Sequence, residues 1–112
     1  MKSMNFINHV YKNNELKISF KGEIDSSNVS KIKERINKLR RNYNPNKIYF
    51  NFEDVGFIDS AGIGLILGRY NEYRSEHISL VLVGVNKHIK KLFIISGINQ
   101  LMDIYESVNI GG

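Results

Sequence analysis

A serine flanked by small residues is the side chain in this sequence best placed to carry or bind an anion. Ser60 precedes Ala61 and Gly62, so little side-chain bulk surrounds its hydroxyl. The alternating strand pattern before it gives way to a helical pattern after it, and serine is a preferred N-cap residue. Helix N-termini favour negative charge. We therefore predict that Ser60 caps a helix with its hydroxyl exposed, where an anion could bind or be attached.

Two aspartates are predicted to lie near this serine. Asp25 and Asp59 each follow a predicted strand and precede a predicted helix. The carboxyl ends of parallel strands lie along one edge of a sheet. We therefore expect Asp25, Asp59, Ser60 and the loop at Asn86 to share one rim, which predicts where a partner would bind. Both aspartates could equally be ordinary turn or cap residues.

The sequence lacks the patterns of the common catalytic sites. Serine hydrolases of the α/β type carry G-x-S-x-G around the nucleophile, but Ile58 stands two residues before Ser60. The glycine pair after Ser60 lacks the lysine of a phosphate-binding P-loop. Three histidines have no spacing typical of a triad or a metal site and are expected at the surface: His9, His77 and His88. We expect no enzyme activity, metal or cofactor; a small nucleotide-binding or hydrolysing domain is the enzyme-class alternative.

Composition indicates one cytoplasmic domain. The chain has 112 residues and no cysteine, which suits a single domain, residues 1–112 with an ordered core at about 4–105, in a reducing compartment. No apolar run reaches the roughly 20 residues of a membrane-spanning helix. The first residues also lack the apolar segment of a secretory signal.

The chain is basic, with 16 Lys and Arg against 11 Asp and Glu and a net charge of +5. A net positive charge raises nucleic acid as a candidate partner. The basic residues of the first predicted helix, Lys31, Arg35 and Lys38, lie opposite its apolar stripe. They are interpreted first as a solvated face, and a nucleic-acid-binding module is the weaker alternative.

Hydrophobic periodicity predicts five strands and three helices. The strands are predicted at residues 6–11, 16–20, 47–53, 78–83 and 101–105. The first helix carries the stripe Val29, Ile32, Ile36 and Leu39 after possible caps at Ser26 and Ser27. The second runs from Ser60 to about Ser75 with Ile63, Ile66, Leu67 and Tyr70 buried. The third is capped by Asn86 and ends before Gly97, and residues 107–112 are predicted to be a frayed tail.

The order of these elements predicts an α/β fold. Strands that alternate with helices form a parallel sheet with right-handed crossovers, and the two consecutive N-terminal strands form an antiparallel edge hairpin. Two strands are apolar on one face only. We therefore expect a β/α superhelix with helices mainly on one face of the sheet.

Three segments resemble a known family. Residues 22–25 (GEID), 57–64 (FIDSAGIG) and 91–97 (KLFIISG) resemble the anti-sigma factor antagonists, which are stand-alone members of the STAS (sulfate transporter and anti-sigma antagonist) domain class. The resemblance spans roughly residues 4–105 in order. Residues 66–70 (ILGRY) are similar to the sporulation branch rather than to the general-stress branch.

This resemblance implies a phosphorylation switch on a STAS-type fold. By resemblance, Ser60 is phosphorylated by a partner that is both an anti-sigma factor and a serine kinase. The unphosphorylated protein binds that partner and frees the sigma factor, and a serine phosphatase restores it. No direct contact with nucleic acid or membrane is implied. The residues implied in partner binding are Asp25, Ser26, Asp59, Ala61, Gly62 and Asn86.

The sequence departs from the family pattern at two places. Lys87 follows Asn86 where many relatives carry proline. Residues 106–112 are too short and glycine-rich for the C-terminal helix common among relatives.

Overall fold

The computed structural model describes residues 6–107. The chain forms five strands and three α-helices. The strands are β1 (Phe6–Lys12), β2 (Glu15–Ile24), β3 (Lys47–Ile58), β4 (Ser79–Val85) and β5 (Ile104–Glu106). The helices are α1 (Val29–Asn42), α2 (Ser60–Ser75) and α3 (Lys87–Ile95), followed by a 3₁₀ turn at Ile98–Gln100.

The strands form one mixed sheet in the order β1-β2-β3-β4-β5. β1 is antiparallel to β2 and the other neighbours are parallel. The β1–β2 turn contains Asn13 and Asn14, both with positive φ (54° and 64°), a conformation that asparagine tolerates better than most residues. The predicted edge hairpin and the parallel remainder of the sheet are confirmed.

The hydrophobic core lies on one face of the sheet, beneath the helices. In β2, Leu16, Ile18 and Phe20 are buried while Lys17 and Lys21 are exposed. Aromatic rings link the helices to this face: Phe93 of α3 lies 5.7 Å from Phe52, and Tyr73 of α2 lies 6.4 Å from Phe50, between ring centroids. The predicted one-sided α/β architecture is confirmed.

β2 and β3 are longer than predicted. Two bulges let β3 continue to Ile58 beside β2, because Ser19 pairs with Asn51 whereas Lys21 pairs with Asp54, and the register shifts again after Gly22. A bulge adds an unpaired residue and disrupts the alternation of buried and exposed side chains. The two-residue period that predicts a strand therefore stops near Glu53, although the strand does not.

The last two strands are also shifted from their predicted limits. β4 covers Ser79–Val85 rather than residues 78–83. β5 covers only Ile104–Glu106 rather than residues 101–105, because Leu101 and Met102 close the 3₁₀ turn by donating backbone bonds to the carbonyl of Ile98.

The first helix begins later than its predicted caps. Its N-cap is Asn28, without a side-chain capping bond, so the prediction of Ser26 or Ser27 was wrong. The hydroxyl of Ser27 instead donates to the carboxylate of Asp25. Ile32 and Ile36 are buried as predicted, and Lys31 is exposed on the opposite side.

The buried face of α2 is rotated from the predicted stripe. Its buried residues are Gly62, Leu65, Ile66, Arg69 and Tyr73, whereas three of the predicted residues are only partly buried: Ile63, Leu67 and Tyr70. The hydrophobic pattern misses this face because a glycine and an arginine contribute to it. α2 turns Gly62 toward the sheet so that its backbone can approach the strands closely.

The third helix begins and ends where predicted. The side chain of Asn86 accepts a bond from the backbone N–H of Ile89 at 2.8 Å. Gly97 has φ of 84° just after the helix, which is the usual place for a glycine in the left-handed conformation. All three histidines are exposed, as expected. The predicted tail lies outside the described residues except at Ser107, which bonds to backbone groups of Gly84 and Val85.

Candidate functional site

Ser60 is exposed at the first position of α2, and Asp59 caps the helix in its place. The Asp59 carboxylate accepts hydrogen bonds from the backbone N–H groups of Ala61 (2.8 Å) and Gly62 (3.2 Å), and its carbonyl accepts from Ile63. The prediction that Ser60 is the N-cap was therefore wrong by one residue. A carboxylate both pairs with these donors and offsets the positive end of the helix dipole. As a result, the serine hydroxyl is not needed for capping.

Asp59 also ties the start of α2 to the loop between β2 and α1. Its second carboxylate oxygen accepts a bond from the backbone N–H of Ser26 at 3.2 Å, and its own N–H donates to the carbonyl of Ile24. Both segments that leave the ends of β2 and β3 are thus joined at one side chain.

Asp25 organises the loop on the other side of this contact. Its carboxylate accepts bonds from the N–H (3.0 Å) and the hydroxyl (2.6 Å) of Ser27. Its N–H donates to the side chain of Asn28 at 3.0 Å. Asp25 is half-buried. It is therefore a turn residue, as the simpler interpretation held, and it also stands beside the serine.

The ends of β2 and β3 bring these residues together. Ile24 and Ile58 are paired neighbours in the sheet, so Asp25 and Asp59 leave the sheet side by side. We call the group Asp25, Ser26, Asp59 and Ser60 the Ser60 rim. As expected, both aspartates lie at the end of the sheet where Ser60 begins α2.

Asn86 is not part of this group. β4 pairs with β3 only as far as Asn51, whereas β3 continues beside β2 to Ile58. Counted along β2, which has no bulge, Asp59 stands three residues farther along the sheet than Asn86, or about 10 Å at a rise of about 3.3 Å per residue. Asn86 therefore does not lie level with Asp25 and Asp59 on the predicted single rim, and it serves as the cap of α3.

Gly62 is small because α2 approaches the strands closely. A Cβ atom added to Gly62 would lie 2.6 Å from Cγ2 of Ile58 and 3.0 Å from the carbonyl oxygen of Ile24. Any larger residue would push the first turn of α2, and Ser60 with it, away from β2 and β3. Gly62 is therefore needed for the close packing of α2 against β2 and β3, and its small size does not serve to leave room for an anion.

The small residues farther along α2 open a groove that sequence reasoning missed. Ala61, Gly64 and Gly68 lie on one side of it and Ser30 and Lys33 of α1 on the other, around a volume of about 220 Å³. A Cβ on Gly64 or Gly68 would meet no atom within 4 Å. The spacing of three and four residues between these small side chains was the available signal, because it places them on one helix face.

The Ser60 rim presents an exposed serine next to the capping carboxylate of Asp59. No histidine bonds to the Ser60 rim, because His9 pairs with Tyr43 and the other two histidines lie at the far end of α2 and in the first turn of α3. Among residues 6–107, no group of three possible ligands could hold a metal ion. No helix in that part of the chain is long and apolar enough to cross a membrane.

Comparison with known proteins identifies the family. The STAS domain model matches residues 5–110. The chain belongs to the STAS domain family. An anti-sigma-B factor antagonist of Staphylococcus aureus is 32% identical over 89 residues, which cover 80% of this chain and 82% of the relative. The resemblance deduced from the sequence motifs is therefore confirmed.

Solved structures of anti-sigma factor antagonists share the fold. SpoIIAA of Bacillus in its phosphorylated form matches with a TM-score of 0.67 and 28% identity, over 88% of this chain and 90% of that one. An anti-sigma factor antagonist from Mycobacterium paratuberculosis matches with a TM-score of 0.81 and 16% identity, over 91% and 86% of the two chains. The relatives thus include both sigma-B antagonists and SpoIIAA, and the preference for the sporulation branch stays a prediction.

Proposed function

We propose that this protein is an anti-sigma factor antagonist whose Ser60 rim binds the anti-sigma factor and whose phosphorylation at Ser60 ends that binding. The observation that carries the proposal is the exposed Ser60 hydroxyl beside Asp59, which already occupies the N-terminal donors of α2. The names of the Staphylococcus and Bacillus relatives support it. The phosphorylated form of the Bacillus relative supports the switch.

The capping by Asp59 explains why a phosphate on Ser60 would be poorly accommodated. A phosphoserine adds about −1.5 to −2 charges at pH 7, and backbone N–H groups at a helix start normally help to bind such a group. Here the N–H groups of Ala61 and Gly62 are taken by Asp59. The phosphate would therefore stand beside the carboxylates of Asp59 and Asp25 with little compensation.

The same charge is far more costly in a complex than in the free protein. In the free protein, water solvates a phosphate on Ser60. At an interface the phosphate would lose water and meet a surface that fits a neutral hydroxyl next to the carboxylate of Asp59. A buried charge without a partner costs about 3–5 kcal/mol, which corresponds to more than a hundredfold in affinity at about 1.4 kcal/mol per factor of ten.

The partner is expected to bring the phosphorylation chemistry. The carboxylates of Asp59 and Asp25 already accept bonds from backbone N–H groups and from Ser27, and no group of three possible metal ligands occurs among residues 6–107. We therefore expect the kinase to supply the base, the Mg²⁺ and the ATP. We propose an anti-sigma factor that is itself a serine kinase, and a serine phosphatase that removes the phosphate again. Ala61 and Gly62 would take part through the shape of the first turn. The exchange would take place in the cytoplasm, where sigma factors act.

An affinity pull-down from the source cell tests the proposal. The bait is the protein with Ser60→Ala, which we expect to retain an anti-sigma factor that mass spectrometry identifies. Ser60→Asp should lose that partner in part because a carboxylate imitates the phosphate charge. The matched control is Ser79→Asp, which adds the same charge at another exposed serine, at the opposite end of the sheet. Capture of the same anti-sigma factor by Ser60→Asp but not by Ser79→Asp would refute the assignment of the binding surface.

A further inference from the structure

A second groove lies on the far side of α1, next to the edge of the sheet. It is lined by Ile7 and His9 of β1 and by Arg35, Lys38 and Leu39 of α1, and it encloses about 660 Å³. None of the residues of the Ser60 rim lines it. We call it the edge groove.

The edge groove is basic above an apolar floor. Ile7 is 8% exposed and Leu39 is partly buried against the core, so these two side chains form the floor. Arg35 and Lys38 are exposed on its wall, and neither forms an ion pair with another residue between positions 6 and 107. No described residue that lines the groove is acidic. The surface is thus complementary to a segment that carries carboxylates.

The strand beside the groove has an open edge. β1 pairs only with β2 within the described part of the chain. In an antiparallel pair, alternate residues turn their N–H and C=O groups away from the partner strand, and such a row of unpaired groups can pair with an added strand. β1 is thus the terminal strand of the sheet, and its Val10 is 62% exposed.

We infer that the edge groove binds an extended acidic segment of a partner protein, which pairs with β1 as an added strand. Side chains alternate across a strand, so every second residue of the added strand would point to the helix face, toward Arg35 and Lys38. Acidic side chains at those positions would meet the two unpaired cations. The residues between them would face the open side of the sheet. This surface is independent of the Ser60 rim and of the switch proposed there.

Titration of the ¹⁵N-labelled protein with a synthetic peptide tests this inference. The probe is an eight-residue peptide of alternating Glu and Thr with blocked ends. We expect amide shifts confined to β1 and the second half of α1. A peptide with Gln in place of Glu should bind about tenfold more weakly, because the loss of two charge pairs corresponds to about 1.4 kcal/mol.

Protein variants distinguish binding in the edge groove from nonspecific attraction of an acidic peptide to a basic protein. Arg35→Glu with Lys38→Glu should weaken binding about tenfold or more. Lys87→Glu with Lys91→Glu is the control, because it makes the same change in net charge at exposed positions of α3, which lie outside the groove and follow β4 on the other side of the sheet from β1. That control and Ser60→Ala should each change binding less than about twofold, since screened charges at a distance contribute little.

Backbone methylation of the peptide tests the strand pairing itself. Two peptides are compared: one carries methyl groups on the backbone nitrogens of its odd residues, the other on those of its even residues. Only one of the two should lose binding, because an added strand turns alternate N–H groups toward β1. No shifts at millimolar peptide, equal binding of the Gln peptide, or equal effects of the two charge-reversed variants would each overturn the inference. Shifts of the same amides by a single-stranded DNA oligonucleotide alone would overturn it in favour of nucleic acid.

Discussion

At the scale of single residues, the site depends on two adjacent side chains with different roles: Asp59 caps α2, and Ser60 remains exposed. The motif and the strand-to-helix boundary predicted a free hydroxyl at the start of a helix, and Ser60 is exposed there. They could not tell which of two adjacent N-cap formers would cap, because serine and aspartate are about equally favoured. The choice depends on the tertiary contact to the N–H of Ser26, which only Asp59 makes and which local sequence does not encode.

Replacing Asp59 should therefore destabilise the protein measurably. Asp59→Ala removes three hydrogen bonds from the carboxylate, and loss of an N-cap typically costs about 0.5–2 kcal/mol. Asp59→Asn keeps an acceptor and should cost less. Chemical denaturation of the two variants and the wild type measures the differences. Equal stability of Asp59→Ala and wild type would contradict the capping role.

Two glycines of α2 should respond in opposite ways to the same substitution. Gly62→Ala places a methyl group 2.6 Å from Ile58 and should destabilise by about 1–3 kcal/mol, as overpacking does. Gly64→Ala meets nothing within 4 Å and should stabilise by up to about 1 kcal/mol because alanine is the better helix former. Thermal melting of both variants is the test, and the same sign of change in both would contradict the close approach at Gly62.

At the scale of elements, hydrophobic pattern predicted which elements form but not where each one ends or faces. The order of strands and helices followed from periodicity and the short turns. The bulges in β3 extended it past Phe52, because backbone pairing with β2 overrides a broken alternation. The buried face of α2 includes Arg69, which no hydrophobic scale would place there. Its guanidinium forms an ion pair with Glu72 at 3.3 Å and donates a hydrogen bond to the side-chain oxygen of Asn37 at 2.7 Å.

The buried hydroxyl of Tyr73 on α2 gives a prediction about stability. Tyr73 is 1% exposed, and its hydroxyl has no hydrogen-bond partner among the described residues. Removing an unsatisfied buried polar group is neutral or favourable, so Tyr73→Phe should keep or raise the free energy of unfolding. A loss of more than about 1 kcal/mol would indicate instead that the hydroxyl is hydrogen-bonded, because that is the usual net worth of such a bond.

The same residue should make the protein lose stability in alkali. Burial raises the pKa of Tyr73, an effect that the positive charge of Arg69 only partly opposes. An unfolded tyrosine ionises near about pH 10, so above that pH the unfolded state releases a proton that the folded state retains. The free energy of unfolding should therefore fall as the pH rises above about 10. It should fall less steeply in Tyr73→Phe, as measured by urea denaturation at a series of pH values. Parallel curves for the two proteins would contradict the assignment.

At the scale of the whole molecule, the account predicts a switch in binding without a change of fold. The Ser60 rim joins the ends of β2 and β3, and the core lies on the helix face of the sheet below it. The interaction of an exposed charge with the start of a helix amounts to about 0.3–1 kcal/mol, which is small against the several kcal/mol that hold a domain together. Phosphorylation should therefore shift amide resonances near Ser60 only. Large shifts throughout the sheet and α1 would contradict a local mechanism.

The most direct test of the proposed switch is one calorimetric titration made with two forms of the same preparation. The anti-sigma factor is titrated with the protein before and after phosphorylation by its kinase with Mg-ATP, with tandem mass spectrometry to locate the phosphate. We expect the phosphate on Ser60 and not on Ser75, Ser79 or Ser96. We also expect binding of the phosphorylated form to be weaker by at least about a hundredfold. Equal affinity of the two forms with the phosphate at Ser60, or the same loss of affinity with the phosphate elsewhere, would contradict the account.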